Sequence, residues 1–402
     1  MPGGISFRNP VLQRIIIATI VVAAIIVAVV ATIAWRKTRK LRTQMHAQIS
    51  SLRAAIGNDQ LAAGVVANAN AIASAAAAVA SEVAAMPPTT GGPPLFANEL
   101  LALGGEAAGD YEAARAVVDR AVERTAPGST SQAPRLREAC AKAVGGGKRL
   151  RGVIALEVGR RALELRAVAG SKATDADAAR VGAAAVCAEC AHAASLVIDD
   201  GPAFDNDMER RGTASIPAEF GTAMSQLTAL SLLMEAVESA ARAGGAPAAI
   251  EAARALGAAG AACGQALDAI ALPAELQAGG GVAAAVKLKT APFFAAAAAI
   301  GWLSGEPMST RLASEMHAAG TAIGFALQVC DDIGDEEQDA ARAASGKPGR
   351  NFVAEFGRGA ACDAAGRALA EGRERLARLN MWTPRWVSIY DKILTMTGIP
   401  PL

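Results

Sequence analysis

The chain has 402 residues, of which 52% are hydrophobic, 4% aromatic and 19% charged, with a formal net charge of +1. So much apolar content excludes a wholly disordered chain, six scattered cysteines exclude a disulfide scaffold, and near-neutrality excludes a generic nucleic-acid binder. About a quarter of the residues are alanine, the strongest helix former, while strand-favouring aromatics are scarce, so the expected fold class is all-α.

The neutral total is a cancellation. Residues 1–53 hold 8 basic residues and no acidic one, leaving 31 basic against 38 acidic residues in the rest. Ile15 to Trp35 is a run of 21 residues without charge or proline, which as a helix spans about 30 Å, the thickness of a bilayer's hydrocarbon core. Trp35 suits the interface, and Arg36, Lys37, Arg39, Lys40 and Arg42 follow it, against only Arg8 and Arg14 on the other flank. The positive-inside rule then predicts a single-pass membrane protein with its body in the cytosol. A cleavable signal peptide has a shorter apolar region and its basic cluster on the opposite side.

Residues 45–94 are alanine-rich and end in Pro87, Pro88, Gly91, Gly92, Pro93 and Pro94, which break any helix. The expected organisation is a membrane anchor with a basic collar over 1–44, a linker over 45–94 and one helical domain over 95–402. In that domain amphipathic helices alternate with turns at Ala126-Pro127-Gly128 and at Ala243 to Pro247, and Pro292 to Leu303 reads as a core helix.

Two aspartate clusters stand out. Asp199, Asp200 and Asp205 follow the apolar run Ala193 to Ile198; Asp331, Asp332 and Asp335 follow Phe325 to Cys330. Carboxylates crowded at the end of an apolar helix repel one another and lose solvation, so they call for a cation. Asp331 and Asp335 share a helix face at i and i+4, whereas Gly201-Pro202 breaks the helix so that Asp205 returns from a loop. Hard oxygen ligands in such numbers suit Mg²⁺, which keeps waters and bridges carboxylates to substrate phosphates. Either cluster alone also reads as surface aspartates or helix caps; two at matching helix ends favour the metal.

The basic partners are Gly145 to Arg151 with Lys148, Arg149 and Arg151 before a helix, Arg210 and Arg211 after the first cluster, Lys289-Thr290 at the expected start of a helix, and Gln328 one turn before the second. His192 lies two turns before Asp199 on the same face. Cys187 and Cys190 invite a zinc reading, but two further ligands are missing nearby and core packing accounts for them better.

These residues, from roughly 105 to 380, resemble the trans-type polyprenyl diphosphate synthases, most closely the geranylgeranyl diphosphate synthases. The resemblance rests on Gly147 to Arg151, Glu189 to Asp200, Phe204-Asp205-Asn206-Asp207, Arg210-Arg211-Gly212, Gly264-Gln265 with Asp268, Lys289-Thr290, and Leu327-Gln328 before the second cluster. It implies a single large bundle of the isoprenoid synthase type, a homodimer, and Mg²⁺ on Asp199, Asp200, Asp205, Asp331, Asp332 and Asp335. It further implies that Lys148, Arg151, His192 and Arg211 hold isopentenyl diphosphate, and that Arg210, Lys289, Thr290, Gln328 and Lys347 hold the allylic diphosphate, Lys289 counting among the catalytic residues. Small residues one turn before the first cluster, Ser195 and Ala194, would floor a tunnel deep enough for a geranylgeranyl (C20) product. Gly152 stands where the family has proline, Ile198 where it often has histidine, and the segment after Asp335 is about six residues short, with Lys347 and Arg350 in place of several lysines. Two alternatives remain open at this stage: a non-catalytic subunit of a prenyl synthase and a terpene cyclase.

Overall fold

The computed structural model describes residues 95–395, apart from Phe96, Ala169, Ser171, Pro307, Met308 and 345–349. The expected anchor, collar and linker, and with them Lys347, lie outside the described residues. The described chain is helical almost throughout: α1 (Ala97–Leu101), α2 (Tyr111–Thr125), α3 (Pro134–Val144), α4 (Leu150–Val168), α5 (Asp175–Asp199), α6 (Ile216–Phe220), α7 (Thr222–Leu256), α8 (Ala261–Ala269), α9 (Pro273–Ala278), α10 (Gly281–Gly305), α11 (Thr310–Gly334), α12 (Glu336–Ala344), α13 (Phe352–Phe356), α14 (Arg358–Arg378) and α15 (Pro384–Leu394). One small hairpin interrupts this pattern, β1 (Glu209–Arg210) pairing antiparallel with β2 (Thr213–Ala214). Its two turn residues, Arg211 and Gly212, both have positive φ (54° and 77°), as a tight two-residue hairpin turn requires.

Local chemistry sets the helix ends. Thr174 caps α5 through a reciprocal pair of hydrogen bonds with Asp177, and the turn expected at Ala126 is a left-handed cap of α2 with φ 45°. The break expected at Ala243 to Pro247 is a kink inside α7 instead of a helix end. Gly244 and Gly245 leave the helical conformation there, and a Cβ on Gly244 would lie 2.8 Å from that of Leu303.

Helix α10 is the centre of the bundle, packing on α11, α4, α8, α7 and α5. From Ala291 onward it is buried on nearly every side, which its alanine run allows because small side chains let neighbouring backbones come close. The core-helix reading of Pro292 to Leu303 is thus correct, within a longer helix that carries Pro292 inside it. Both α5 and α10 are long and apolar enough to cross a membrane by length and composition, but most of each is buried within the fold. Far from the aspartates, the fully buried Arg385 of α15 donates to Glu157 of α4 (3.2 Å), to the carbonyl of Leu103 (2.8 Å) and to that of Ala107, while Thr383 donates to Glu157 (2.6 Å).

Candidate active site

Helices α5 and α11 end at the same cavity, of about 1180 Å³. Asp199 and Asp205 line it from the first cluster, Asp331, Asp332 and Asp335 from the second. The loop after α5 turns as its Gly-Pro predicts: the Asp205 backbone N–H returns to the Asp199 carbonyl at 3.0 Å. In the second cluster the Asp335 N–H reaches the Asp331 carbonyl at 2.9 Å, the i, i+4 step that the spacing implied. Asp200 is not among the lining residues. It is 2% exposed and accepts from Nε of Arg210 at 2.9 Å and from Nη2 of the same guanidinium. Asp332 is 3% exposed and accepts from the Gln328 amide (2.8 Å) and the Phe352 backbone N–H (2.7 Å).

Lys148, Arg151, His192, Arg210, Arg211, Lys289, Thr290 and Gln328 all line the same cavity. Lys289 and Thr290 do so from within α10, not from its start. Thr290 donates to Gln328, and the Lys289 ammonium sits 2.7 Å from Asp268 of α8. That neighbour is reachable because α8 and α10 meet backbone to backbone at Gly264, where a Cβ would collide with the Leu288–Lys289 peptide. Gln265, next to it, donates to Asp199 at 2.7 Å. Arg211 donates to the Gly145 carbonyl at 2.8 Å, tying the hairpin to the glycine loop.

Of the three cations in that loop, Arg149 is spent on the scaffold. Its φ of 57° turns it inward, where it donates to the Val144 carbonyl (2.7 Å), Asp119 (2.8 Å) and Glu189 (3.1 Å). Glu189 also accepts from the Gly152 backbone N–H at 2.8 Å, and a Cβ on Gly152 would come within 2.7 Å of Val118. This accounts for glycine at a position where the resembling family has proline: proline would have no N–H to give Glu189. Arg151 lies over the rings of Phe294 (4.7 Å) and Phe293 (5.7 Å), and its Nε is buried without a hydrogen-bond partner among the described residues.

Burial dominates the electrostatics. It raises Asp199 to about 6, against the pull of Lys289, and Asp332 to about 7, against the Phe352 and Gln328 hydrogen bonds. Asp331 is raised by burial and then by Asp335. Burial, reinforced by Arg151, Arg211 and Arg210, holds His192 well below its ordinary value, so its imidazole is neutral. For Lys289 burial pulls downward, and Asp268 and Asp199 outweigh it, leaving a firmly charged ammonium.

Several residues escaped the sequence reading or entered it only as motif letters. Glu189 and Gln265 are second partners of Arg149 and Asp199. Asp339 and Asn351 belong with the second cluster: the Asn351 amide donates to Asp339 (2.8 Å) and to the Asp332 carbonyl (3.1 Å), and its oxygen caps α13. Arg350, expected in place of the family's lysines, lines the cavity, its backbone N–H donating to Asp268 at 2.7 Å. Helical spacing could have flagged Asp339, two turns beyond Asp331; Asn351 carried no local signal. Ala194 is a correction. It is fully buried and outside the cavity lining, one residue's rotation away from Ser195, which does line it. Cys187 and Cys190 are buried in the core, which accounts for them as packing residues.

Among the described residues, no group of three or more His, Cys, Asp or Glu side chains could hold a metal ion alone. The donor set nevertheless fits Mg²⁺. It is all oxygen, burial raises its carboxyls above their ordinary range so that a cation would favour their ionised form, and an ion here would complete its shell with water and other oxygen ligands.

A family model described as polyprenyl synthetase matches residues 133–353, more than half of the chain. The chain belongs to the polyprenyl synthetase family. This chain is 30% identical over 270 residues to the trans-prenyltransferase of African swine fever virus, isolate Pig/Kenya/KEN-50/1950, covering 65% of the present chain and 76% of the viral one. The fold matches that of a geranyltransferase from Helicobacter pylori with a TM-score of 0.55 at 22% identity, over 72% of this chain and 96% of that one. A crystal structure of geranyltransferase from Helicobacter pylori complexed with magnesium and isoprenyl diphosphate aligns with a TM-score of 0.54 at 23% identity, over 72% of this chain and 96% of that one. At these identities the structural likeness establishes the isoprenoid synthase fold.

Proposed function

We propose that this chain is a Mg²⁺-dependent prenyltransferase that condenses isopentenyl diphosphate with an allylic diphosphate and releases geranylgeranyl diphosphate. One observation carries the reading: a single cavity is lined by aspartates of both clusters and by the basic residues, and also by apolar side chains such as Leu233, Leu256, Val286 and Phe293.

Lys148, Arg151 and Arg211 hold isopentenyl diphosphate, and neutral His192 adds a hydrogen bond without adding charge. Lys289, Thr290 and Gln328 hold the allylic diphosphate, with Asp199, Asp205, Asp331 and Asp335 supplying carboxylates for the metal; Asp200 and Asp332 act by fixing Arg210 and the α13 segment. Bound Mg²⁺ would neutralise the charge that gathers on the departing diphosphate. The C1–O bond of the allylic substrate breaks, the double bond of isopentenyl diphosphate attacks C1 to form the new C–C bond, and a proton leaves to the released diphosphate. The apolar walls keep water from the allylic cation. No side chain needs to act as a nucleophile. Both clusters contribute carboxylates to the cavity, which favours an active enzyme over a non-catalytic subunit, and the Lys148–Arg151 grip favours prenyl transfer over cyclisation.

The C20 product is supported by the small side chains of Ala191 and Ser195 in the lining. A homodimer is supported by Leu227, Leu230 and Met234, which leave an exposed apolar stripe at helical spacing on α7. Single-pass membrane attachment rests on Ile15 to Trp35 and its basic collar; deleting residues 1–44 should give a soluble, active protein.

The test is direct. The full-length protein in detergent, given Mg²⁺, isopentenyl diphosphate and farnesyl diphosphate, should yield geranylgeranyl diphosphate by mass spectrometry. Absence of elongation from dimethylallyl, geranyl and farnesyl primers alike would remove the reading.

A further inference from the structure

We infer that Leu256, the last residue of α7, is the side chain that sets how long a hydrocarbon the cavity accepts. The inference rests on the prenyl-transfer reading and goes beyond it by moving the stop from the helix before the first aspartates to a different helix.

Adjoining the main cavity is a second space of about 10 Å³, room for about one water molecule. The two spaces share three lining residues, Ala191, Leu256 and Phe293, which together form the partition between them. Ala191 is already small. Phe293 is 7% exposed, with its ring against the Arg151 guanidinium, so trimming it would disturb the diphosphate grip as well. Leu256 alone combines bulk with independence from the polar groups. It is half-buried at a helix end, immediately before the turn that begins at Gly257.

Behind Leu256 the second space is lined mostly by alanines, with Cys187 and, as its bulkiest member besides Phe293, Ile300. Ala252, one turn earlier on the same face of α7, lines the second space with Ala188 and Ala255, so no large side chain on that face takes over the stop once Leu256 is shortened. Leu233 and Val286 line the main cavity but not the second space, and do not share this position.

The experiment uses the full chain with Mg²⁺, isopentenyl diphosphate and farnesyl diphosphate, reading products by mass spectrometry. Leu256→Ala should move the dominant product at least one C5 unit longer, with the longer product's share rising about tenfold. Ala252→Leu, combined with Leu256→Ala, refills the room that the truncation opens and should return the product to that of the wild type. An unchanged product distribution in Leu256→Ala overturns the inference, as does failure of the double variant to revert. Should Leu256→Ala not fold, Leu256→Val carries the same test with a smaller shift. A parallel binding series with saturated C15, C20 and C25 alkyl diphosphates separates the two readings. A chain without turnover whose tightest ligand lengthens on Leu256→Ala loses the enzyme reading and keeps Leu256; a chain that turns over without that shift loses Leu256 alone.

Discussion

The two aspartate clusters end two apolar helices at one cavity, yet they are held in opposite ways. In the first, Asp200 is locked by the Arg210 guanidinium, which partly offsets the rise that burial imposes. In the second, Asp332 is locked by neutral donors, the Gln328 amide and the Phe352 N–H, and its carboxyl stands at about 7. A cation clamp fixes charge as well as position; an amide clamp fixes position and leaves the charge to be supplied by whatever binds. Burial raises the carboxyls of both clusters, and only in the first does a guanidinium hydrogen-bonded to one of them work against that rise.

The sharpest test of this difference compares cavity-facing carboxylates with clamped ones. Asp199→Asn and Asp331→Asn should each lower turnover by about 100-fold or more with little change in melting temperature, measured by radiolabel incorporation; comparable losses in Asp200→Asn would mean that the clamped aspartates also touch substrate or metal. Next in size is a pH effect on the metal-free protein. Asp199 and Asp332 ionise near 3.8 when unfolded but hold their protons to about 6 and about 7 in the fold. The unfolded state therefore binds fewer protons between these limits. The contribution of these two carboxyls to stability should be greatest below about 4, fall by several kcal/mol as pH rises to about 7, and then level off; denaturant midpoints across pH, compared with those of the Asp199→Asn, Asp332→Asn protein, read the slope, and Mg²⁺ should flatten it.

Beside the amide clamp, Asn351→Asp removes the donor to the Asp332 carbonyl and sets a carboxylate next to Asp339. A cost of about 1–3 kcal/mol and a raised Mg²⁺ requirement should appear in thermal melts and metal titrations. The cation clamp gives the smallest stability effect. Arg210→Met should cost about 1 kcal/mol, because that guanidinium is partly solvated, while the acid limb of the activity profile moves to higher pH as Asp200 loses its counter-charge.

What could be read in advance followed from local rules. The i, i+4 step of Asp331 and Asp335 and the Gly-Pro break before Asp205 depend only on helix geometry and turn chemistry, and both are as expected. The Asp200–Arg210 pair depends on a hairpin whose turn needs two positive φ values, one of them on an arginine, which no periodicity announces. Asn351 reaches Asp339 and the Asp332 carbonyl across a loop, and Arg149 looked like a ligand cation because nothing in the run Lys148-Arg149 marks which of the two turns inward. Ala194 and Ser195 differ by one residue, about 100° of helix rotation, and that rotation decided which of them meets the cavity.

The buried Arg385 has a consequence for how the chain is made. Its guanidinium serves a carbonyl 282 residues earlier and a carboxylate 228 residues earlier. Until α15 leaves the ribosome, Glu157 has only its neighbour Arg160 to satisfy it and the turn at Leu103 to Ala107 has no lid. Contacts of such separation form late and leave earlier helices with apolar surface exposed during synthesis. Loss of the segment from Thr383 onward would therefore be felt first in the yield of folded protein rather than in catalysis.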